Sequence, residues 1–170
     1  MEVTIRPAVP GDASRLVAHL KTLAAEPGIN IPMALDEVAT VEDERARLET
    51  FEDHPRALVL VAERDGELLG ELTIRAISPR RAVAHVASLG MSVRADARGQ
   101  GVGTALLESA IEWAKTAGII RIELYVYARN APAIALYEKA GFVTEGTRRA
   151  FIKEGDEFLD DLVMGLLIGR

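Results

Sequence analysis

Apolar residues change their spacing along the chain, and those changes divide it into elements. Ala57-Leu58-Val59-Leu60-Val61-Ala62 is an unbroken apolar run of strand length. Arg64-Asp65-Gly66-Glu67 follows it with an Asp-Gly pair, the local signal for a tight hairpin. Leu68–Ile77 is therefore expected to return as a second strand. Ser78-Pro79-Arg80-Arg81 turns the chain again, and Val83–Val93 reads as a third. Together they predict an antiparallel meander. Upstream, Val3–Arg6 reads as a short strand. Gly11-Asp12 opens a helix to about Ala25 with Asp12 as its cap, and Pro27-Gly28 breaks it. Thr40-Val41-Glu42-Asp43 has capping-box spacing and starts a helix to Phe51. Within that helix the pairs Arg45–Glu49 and Asp43–Arg47 are spaced to form ion pairs.

The period then becomes helical. Val102, Leu106, Ala110, Trp113 and Ala117 share one face, with Thr104, Glu108, Glu112 and Lys115 opposite. Gly118 is placed to end this helix. Ile120–Ala128 reads as a strand. Pro132–Ala140 reads as a helix with Pro132 in its first turn and Gly141 past its end. Phe142–Thr147 and Phe158–Ile168 are the last strands. The order is β-α-α-β-β-β-α-β-α-β-β, an α+β (mixed α/β) fold with a central mixed sheet of about seven strands, in one domain spanning residues 1–170.

Composition narrows the function. The chain has 170 residues and no cysteine, which excludes a disulfide framework, a Cys-ligated metal and a thiol nucleophile. No metal site is expected. No apolar run has the length of a membrane span, and Met1-Glu2-Val3-Thr4-Ile5-Arg6 lacks a leader's apolar core, so the cytoplasm is the expected compartment. The net charge of −6 argues against nucleic-acid binding, which depends on Lys and Arg contacts to phosphate. The excess acid lies in the stretch from Asp36 to Asp53, where eight acids face only Arg45 and Arg47. A solvated helix face explains it; an acidic rim that draws in a cationic substrate is the sharper reading.

Candidate chemistry begins at Arg98-Gly99-Gln100-Gly101-Val102-Gly103, between a strand and a helix. Glycines let the backbone approach a ligand, and a helix start presents unpaired N–H groups and a positive dipole end. That combination suits a phosphate, with Arg98 adding charge. A tight turn is the plain alternative. The triphosphate-loop string is absent, and a dinucleotide fingerprint counted from Gly101 meets Leu106 at its third small position.

Arg98-x-x-Gly101-x-Gly103, followed by a helix and then Asn130-Ala131-Pro132-Ala133-Ile134-Ala135-Leu136-Tyr137-Glu138-Lys139-Ala140-Gly141-Phe142, resembles the GNAT superfamily of acyl-CoA N-acyltransferases. The likeness is firm from about His85 to Phe142. It implies an acetyltransferase with acetyl-CoA as cosubstrate, acting on a primary amine by direct attack in a ternary complex. The tail, through Gly146-Thr147-Arg148-Arg149 and Asp160-Asp161-Leu162-Val163-Met164, resembles the branch that acetylates free amino acids, small amines or protein N-termini. Carried over, the resemblance assigns the backbone of Met91 and Val93 to the amide arm of coenzyme A. It assigns the N–H groups of Arg98, Gly99, Gln100, Gly101, Val102 and Gly103, with Thr104, to the pyrophosphate. Asn130 is assigned to the arm and Tyr137 to the sulfur. Without the resemblance, Asn130 reads as a helix N-cap and Tyr137 as a core aromatic.

Acetyl transfer needs a neutral amine, an N–H donor for the oxyanion and a thiolate that can leave. Tyrosine, with a pKa near 10, sits above a thiol near 8.5, so Tyr137 is expected to donate a hydrogen bond to the sulfur. A backbone N–H near Met91 is the expected oxyanion donor. The base is open: Val86-Ala87-Ser88-Leu89 holds no Glu where many members of the superfamily place one. His85 is the nearest titratable residue on that strand and the catalytic candidate beside Tyr137; a buried structural histidine is the alternative. Ser88 is placed to hold a water, and Glu71 and Glu123 are remote candidates expected to point outward. The resemblance implies that residues 26–53 and the hairpin 148–157 wall the acceptor pocket. Arg80, Arg81, Arg148 and Arg149 are candidates to grip a substrate carboxylate, with solvated hairpin charge as the plain alternative. A polyamine or peptide amine is the alternative acceptor, and a noncatalytic acyl-CoA-binding module the rival from another class. No nucleic-acid or membrane partner is expected; the resemblance suggests a homodimer.

Overall fold

The computed structural model describes residues 3–169; Met1 and Glu2, part of the N-terminal reading above, lie outside them. Seven strands form one sheet: β1 Thr4–Pro7, β2 Ala57–Arg64, β3 Glu67–Ala76, β4 Val86–Val93, β5 Arg121–Tyr127, β6 Val143–Glu154 and β7 Glu157–Leu167. Their lateral order is β1-β2-β3-β4-β5-β7-β6. All neighbouring pairs are antiparallel except β4 and β5, which are parallel. The helices are α1 Ala13–Ala24, α2 Val41–Phe51, α3 Val102–Thr116 and α4 Ala131–Lys139.

Each face of the sheet carries a buried layer, while the edge strand β6 is largely exposed. On one face, Leu72 and Ile74 of β3, Leu89 of β4, Ile122 and Leu124 of β5 and Met164 of β7 pack with Leu106 and Leu107 of α3. On the other, Val59, Val61 and Leu68 pack with Ala13 and Leu16 of α1 and Leu48 of α2. Strand alternation sends Leu72 and Ile74 to the first face and Glu71 and Thr73 to the second. Each fully buried Leu or Ile contributes roughly 1.5–3 kcal/mol, so these layers hold β3 and β4 rigidly beneath the site.

Several boundaries differ from the sequence reading. The first helix is preceded by a 3₁₀ turn, Pro10–Asp12, and Asp12 makes no side-chain cap to α1. Its carboxylate instead accepts the Val9 N–H at 2.9 Å and the guanidinium groups of Arg6 and Arg15. The third meander strand begins at Val86 rather than Val83, because Val83 and Val86 close turns onto Arg80 O and Val83 O at 3.0 and 3.1 Å. β6 continues to Glu154, past Thr147; a register shift after Arg148, with Ala150 at φ 52°, lets pairing resume at Ile152. In α2, Thr40 caps through the Asp43 N–H at 3.1 Å, as expected. Arg47, however, pairs with Glu44 at 2.7 Å rather than with Asp43, whose carboxylate takes the Thr40 hydroxyl.

Candidate active site

The parallel strands β4 and β5 pair only at Val86–Arg121, Ala87–Ile122 and Ser88–Glu123. Beyond Ser88 they part. The Arg94 N–H bonds to Leu69 O at 2.8 Å, and Val86 O accepts the Ile77 N–H at 3.0 Å. Residues of that parity therefore turn their backbone to β3. Leu89, Met91 and Val93, of the opposite parity, turn theirs into the gap. The carbonyl of Val93 is already taken by Arg98 Nε at 3.0 Å.

At the wide end of the gap stands the start of α3. Gly101 is its N-cap at φ 83°, with no side chain closing it, and Gly99 also lies in the left-handed region at φ 73°. The first intrahelical bond is from the Ala105 N–H to Gly101 O at 3.0 Å. The N–H groups of Val102, Gly103 and Thr104 therefore have no helical acceptor and face outward as donors for an anion. The missing side chain of Gly103 also serves packing: a Cβ there would lie 3.1 Å from Leu136 Cδ2 and 3.6 Å from Met91 Cε. Its absence lets α3 approach α4 and β4 closely.

Two side chains of this loop differ from their expected use. Arg98 is clamped by Glu26, with Nη1 and Nη2 at 2.5 and 2.7 Å from the carboxylate oxygens. Its charge is thus shared with the segment after α1. Gln100 donates to Asp96 O at 2.6 Å and accepts from Arg64 at 3.2 Å, which fixes the loop from within.

Asn130 caps α4, its Oδ1 accepting the Ala133 N–H at 3.3 Å, so only its amide N–H₂ is free to face a ligand. Tyr137 is buried at 6% exposure and packs on Phe142 with ring centroids 5.7 Å apart. Burial, with a smaller effect of the Glu71 charge, pushes its hydroxyl up to about 12.

That influence of Glu71 on Tyr137 reveals a group whose outward strand position had suggested exposure. Glu71 keeps a little surface, yet protein surrounds its carboxyl, and burial pushes it up to about 7; Arg47 and hydrogen bonds from Ser92 and Thr73 oppose the rise. Ser92 Oγ donates to Glu71 Oε1 at 3.2 Å, and Thr73 Oγ1 to Oε2 at 3.3 Å. His19 of α1 completes the chain, its Nε2 2.9 Å from Ser92 Oγ. Burial, aided by Arg94 and Arg98, lowers His19 to about 4, so the ring is neutral near pH 7.

His85 is not part of this assembly. It precedes β4, and its carbonyl accepts the N–H groups of Ile120 and Arg121 at 2.9 and 3.1 Å, at the closed end of the gap. Ser92 lies seven residues further along an extended strand, roughly 20 Å away. Ser88 sits at the last paired position. Glu123 is bound by Tyr125 Oη at 3.1 Å and lies 3.5 Å from Arg121.

The expected acceptor walls meet at Arg129, which donates to Asn30 Oδ1 and Glu154 Oε2, both at 2.8 Å. Arg148 is held by buried Asp161 and lies over the rings of Tyr125 and Phe151, 3.8 and 3.5 Å from their centroids. Its charge is therefore committed within the hairpin. Arg80 and Arg81 lie exposed in the turn before β4, and Arg149 is exposed in β6.

The sequence pattern described as the acetyltransferase (GNAT) family matches residues 31–142. An Escherichia coli protein named L-amino acid N-acetyltransferase AaaT is 39% identical over 121 residues, 68% of this chain and 72% of that protein. The crystal structure of an acetyltransferase of the GNAT family from Streptococcus pneumoniae superposes with a TM-score of 0.92 at 35% identity, covering 99% of this chain and 100% of that one. A ribosomal-protein-alanine N-acetyltransferase from Brucella melitensis gives 0.87 at 28% identity, over 97% and 99% of the two chains. The chain belongs to the GNAT acetyltransferase family. It is accordingly an acyltransferase, with acetyl-CoA as its cosubstrate.

Proposed function

We propose that the chain transfers the acetyl group of acetyl-CoA directly to a small primary amine, a free amino acid first, within a ternary complex. The observation that carries this reading is the gap between β4 and β5, with three N–H groups of α3 that have no helical acceptor at its wide end. The first-turn N–H groups of Val102, Gly103 and Thr104 hold the diphosphate. Met91 offers its backbone carbonyl and Val93 its N–H to the arm, and Asn130 its amide. The thioester supplies the activated acetyl group and a thiolate that can leave.

Glu71 takes the place assigned to His85. Its carboxylate accepts a proton from the acceptor ammonium: an N–H bond breaks, an O–H bond forms, and the electron pair stays on nitrogen for attack at the carbonyl. The Met91 N–H is the donor proposed for the developing oxyanion. Tyr137 supports the departing sulfur. With a thiol near 8.5 and Tyr137 near 12, full proton transfer is uphill by roughly 5 kcal/mol. Tyr137 therefore acts as a hydrogen-bond donor that strengthens as sulfur gains charge.

The free amino acid reading is supported by the activity in the name of the E. coli relative. A second reading, the N-terminal amine of a protein, is favoured by Glu71 itself. A base near 7 lies about one pH unit below a chain-terminal amine but over three below a lysine, making lysine deprotonation harder by roughly 3 kcal/mol. The activity in the name of the Brucella relative points the same way. Among the described residues no helix is long and apolar enough to cross a membrane; action in the cytoplasm as a homodimer belongs to the same proposal.

Release of coenzyme A thiol tests it, and the absence of cysteine removes any protein thiol background. Amino acids, polyamines, aminoglycosides and peptides with free N-termini form the panel. Turnover with amino acids supports the first reading and turnover with peptides alone the second. Tight acetyl-CoA binding without turnover on any amine contradicts both.

A further inference from the structure

His19, Ser92 and Glu71 form a hydrogen-bonded chain across three elements, α1, β4 and β3. Ser92 has one proton, and the ionised carboxylate of Glu71 can only accept. When Ser92 donates to Glu71, the contact at 2.9 Å requires His19 Nε2 to be the donor to Ser92 Oγ. That fixes the ring as the neutral Nε2–H tautomer, with Nδ1, buried and without a partner, carrying the lone pair. His19 is itself only 6% exposed, so the ring cannot easily turn to another partner.

We propose that His19 is a positioning residue for acetyl transfer: by donating to Ser92 it directs the Ser92 proton onto Glu71, holds that group as a carboxylate aimed at the acceptor, and sets the pH at which it works. The inference rests on Glu71 being the base. Other charged groups face the chain from every neighbouring element. Arg94 and Arg98 lie near His19. Arg15 and Glu67 line the same 280 Å³ cavity as His19. Arg47 and Glu44 of α2 act on Glu71, and Glu71 in turn on Tyr137 of α4. None of these supplies a hydrogen bond to Ser92 Oγ among the described residues, so the orienting role falls to His19.

The test uses His19→Leu, His19→Gln, Ser92→Ala and Glu71→Gln in the full chain. The Glu71 carboxyl is titrated by ¹³C NMR, assigned by its loss in Glu71→Gln, and the pH dependence of kcat/KM is recorded alongside. Removing a hydrogen bond to the charged form raises a carboxyl's midpoint. Ser92→Ala is expected to raise it by about one pH unit and His19→Leu by about half that, with the acid limb of the rate moving equally. His19→Gln keeps an N–H donor and is expected to leave both in place. If His19→Leu folds and leaves midpoint and limb unmoved while Glu71→Gln abolishes turnover, His19 only packs, the inference is overturned and the base assignment stands. If Glu71→Gln retains full turnover, the base assignment fails and the inference goes with it. Should His19→Leu not fold, His19→Met, which also lacks the N–H donor, takes its place: a raised midpoint and limb support the proposal, and unmoved ones in a folded protein overturn it.

Discussion

Glu71 and Ser92 stand directly opposite each other in the β3–β4 register, and the Ser92 hydroxyl donates to the Glu71 carboxylate at 3.2 Å. Packing of α1 and α2 over this pair leaves a carboxyl near 7 beside the gap in which the acyl donor is proposed to lie. Glu71→Gln is expected to lower kcat by 10²–10⁴-fold, the range of general base catalysis, with little change in acetyl-CoA affinity. Wild-type kcat/KM should rise with pH through about 7 and lose that limb in the variant. Steady-state rates from pH 5 to 9 check both.

The same group carries a stability signature. A carboxyl raised from its ordinary value near 4.5 to about 7 binds its proton more tightly in the folded state. Stability therefore falls as pH rises across that window and stays reduced above it. Glu71→Gln removes the penalty and is expected to stabilise the protein by up to about 3 kcal/mol at pH 8, with little gain at pH 4. Denaturant unfolding at the two pH values measures the difference. A gain at both would place the effect in packing rather than ionisation.

Tyr137→Phe is expected to slow single-turnover acetyl transfer by about 10²-fold or more. A loss below about threefold removes Tyr137 from the chemistry. Because its hydroxyl lies near 12, no alkaline limb from Tyr137 should appear below pH 10.

The element order, the hairpin at Asp65-Gly66 and the glycine-rich turn that opens α3 could be read from local signals. Asp65 and Gly66 adopt φ 53° and 80°, the tight turn their pair favours. Where β4 and β5 separate could not be read, because that depends on tertiary pairing and no short-range pattern marks Ser88 as the last paired residue. Glu71 departs from its expected outward position for a related reason. Alternation with Leu72 correctly turned it away from one core, but α1 and α2 cover the second face too. His19 left a trace: it falls between Leu16 and Leu23 at helical spacing, a buried position that was open to reading. The ion pair of Arg98 with Glu26 joins residues 72 apart in sequence, and that of Arg148 with Asp161 depends on the β6–β7 register, so neither carries a local signal.

Gly101 and Gly103 should fail differently when replaced. Gly101→Ala forces a side chain into φ 83°, costing about 1–2 kcal/mol, and is expected to weaken acetyl-CoA binding by distorting the start of α3. Gly103→Ala meets Leu136 Cδ2 at 3.1 Å, so Leu136→Ala should relieve its stability loss in a double-mutant cycle. Thermal melts of the single and double variants give the coupling. Additive losses would contradict the packing role.

Glu26→Gln releases Arg98 from its clamp and makes that charge available to a diphosphate. Coenzyme A is expected to bind several-fold more tightly at low salt, with the gain fading as salt rises. Calorimetry at two ionic strengths checks this, and the gain should vanish when Arg98→Gln is added.

The most direct test of the proposed function is a crystal structure with acetyl-CoA. The diphosphate is expected on the N–H groups of Val102, Gly103 and Thr104, the arm between β4 and β5, and the thioester between Glu71 and Tyr137. A closed gap, or a ligand seated on any other surface, would contradict it.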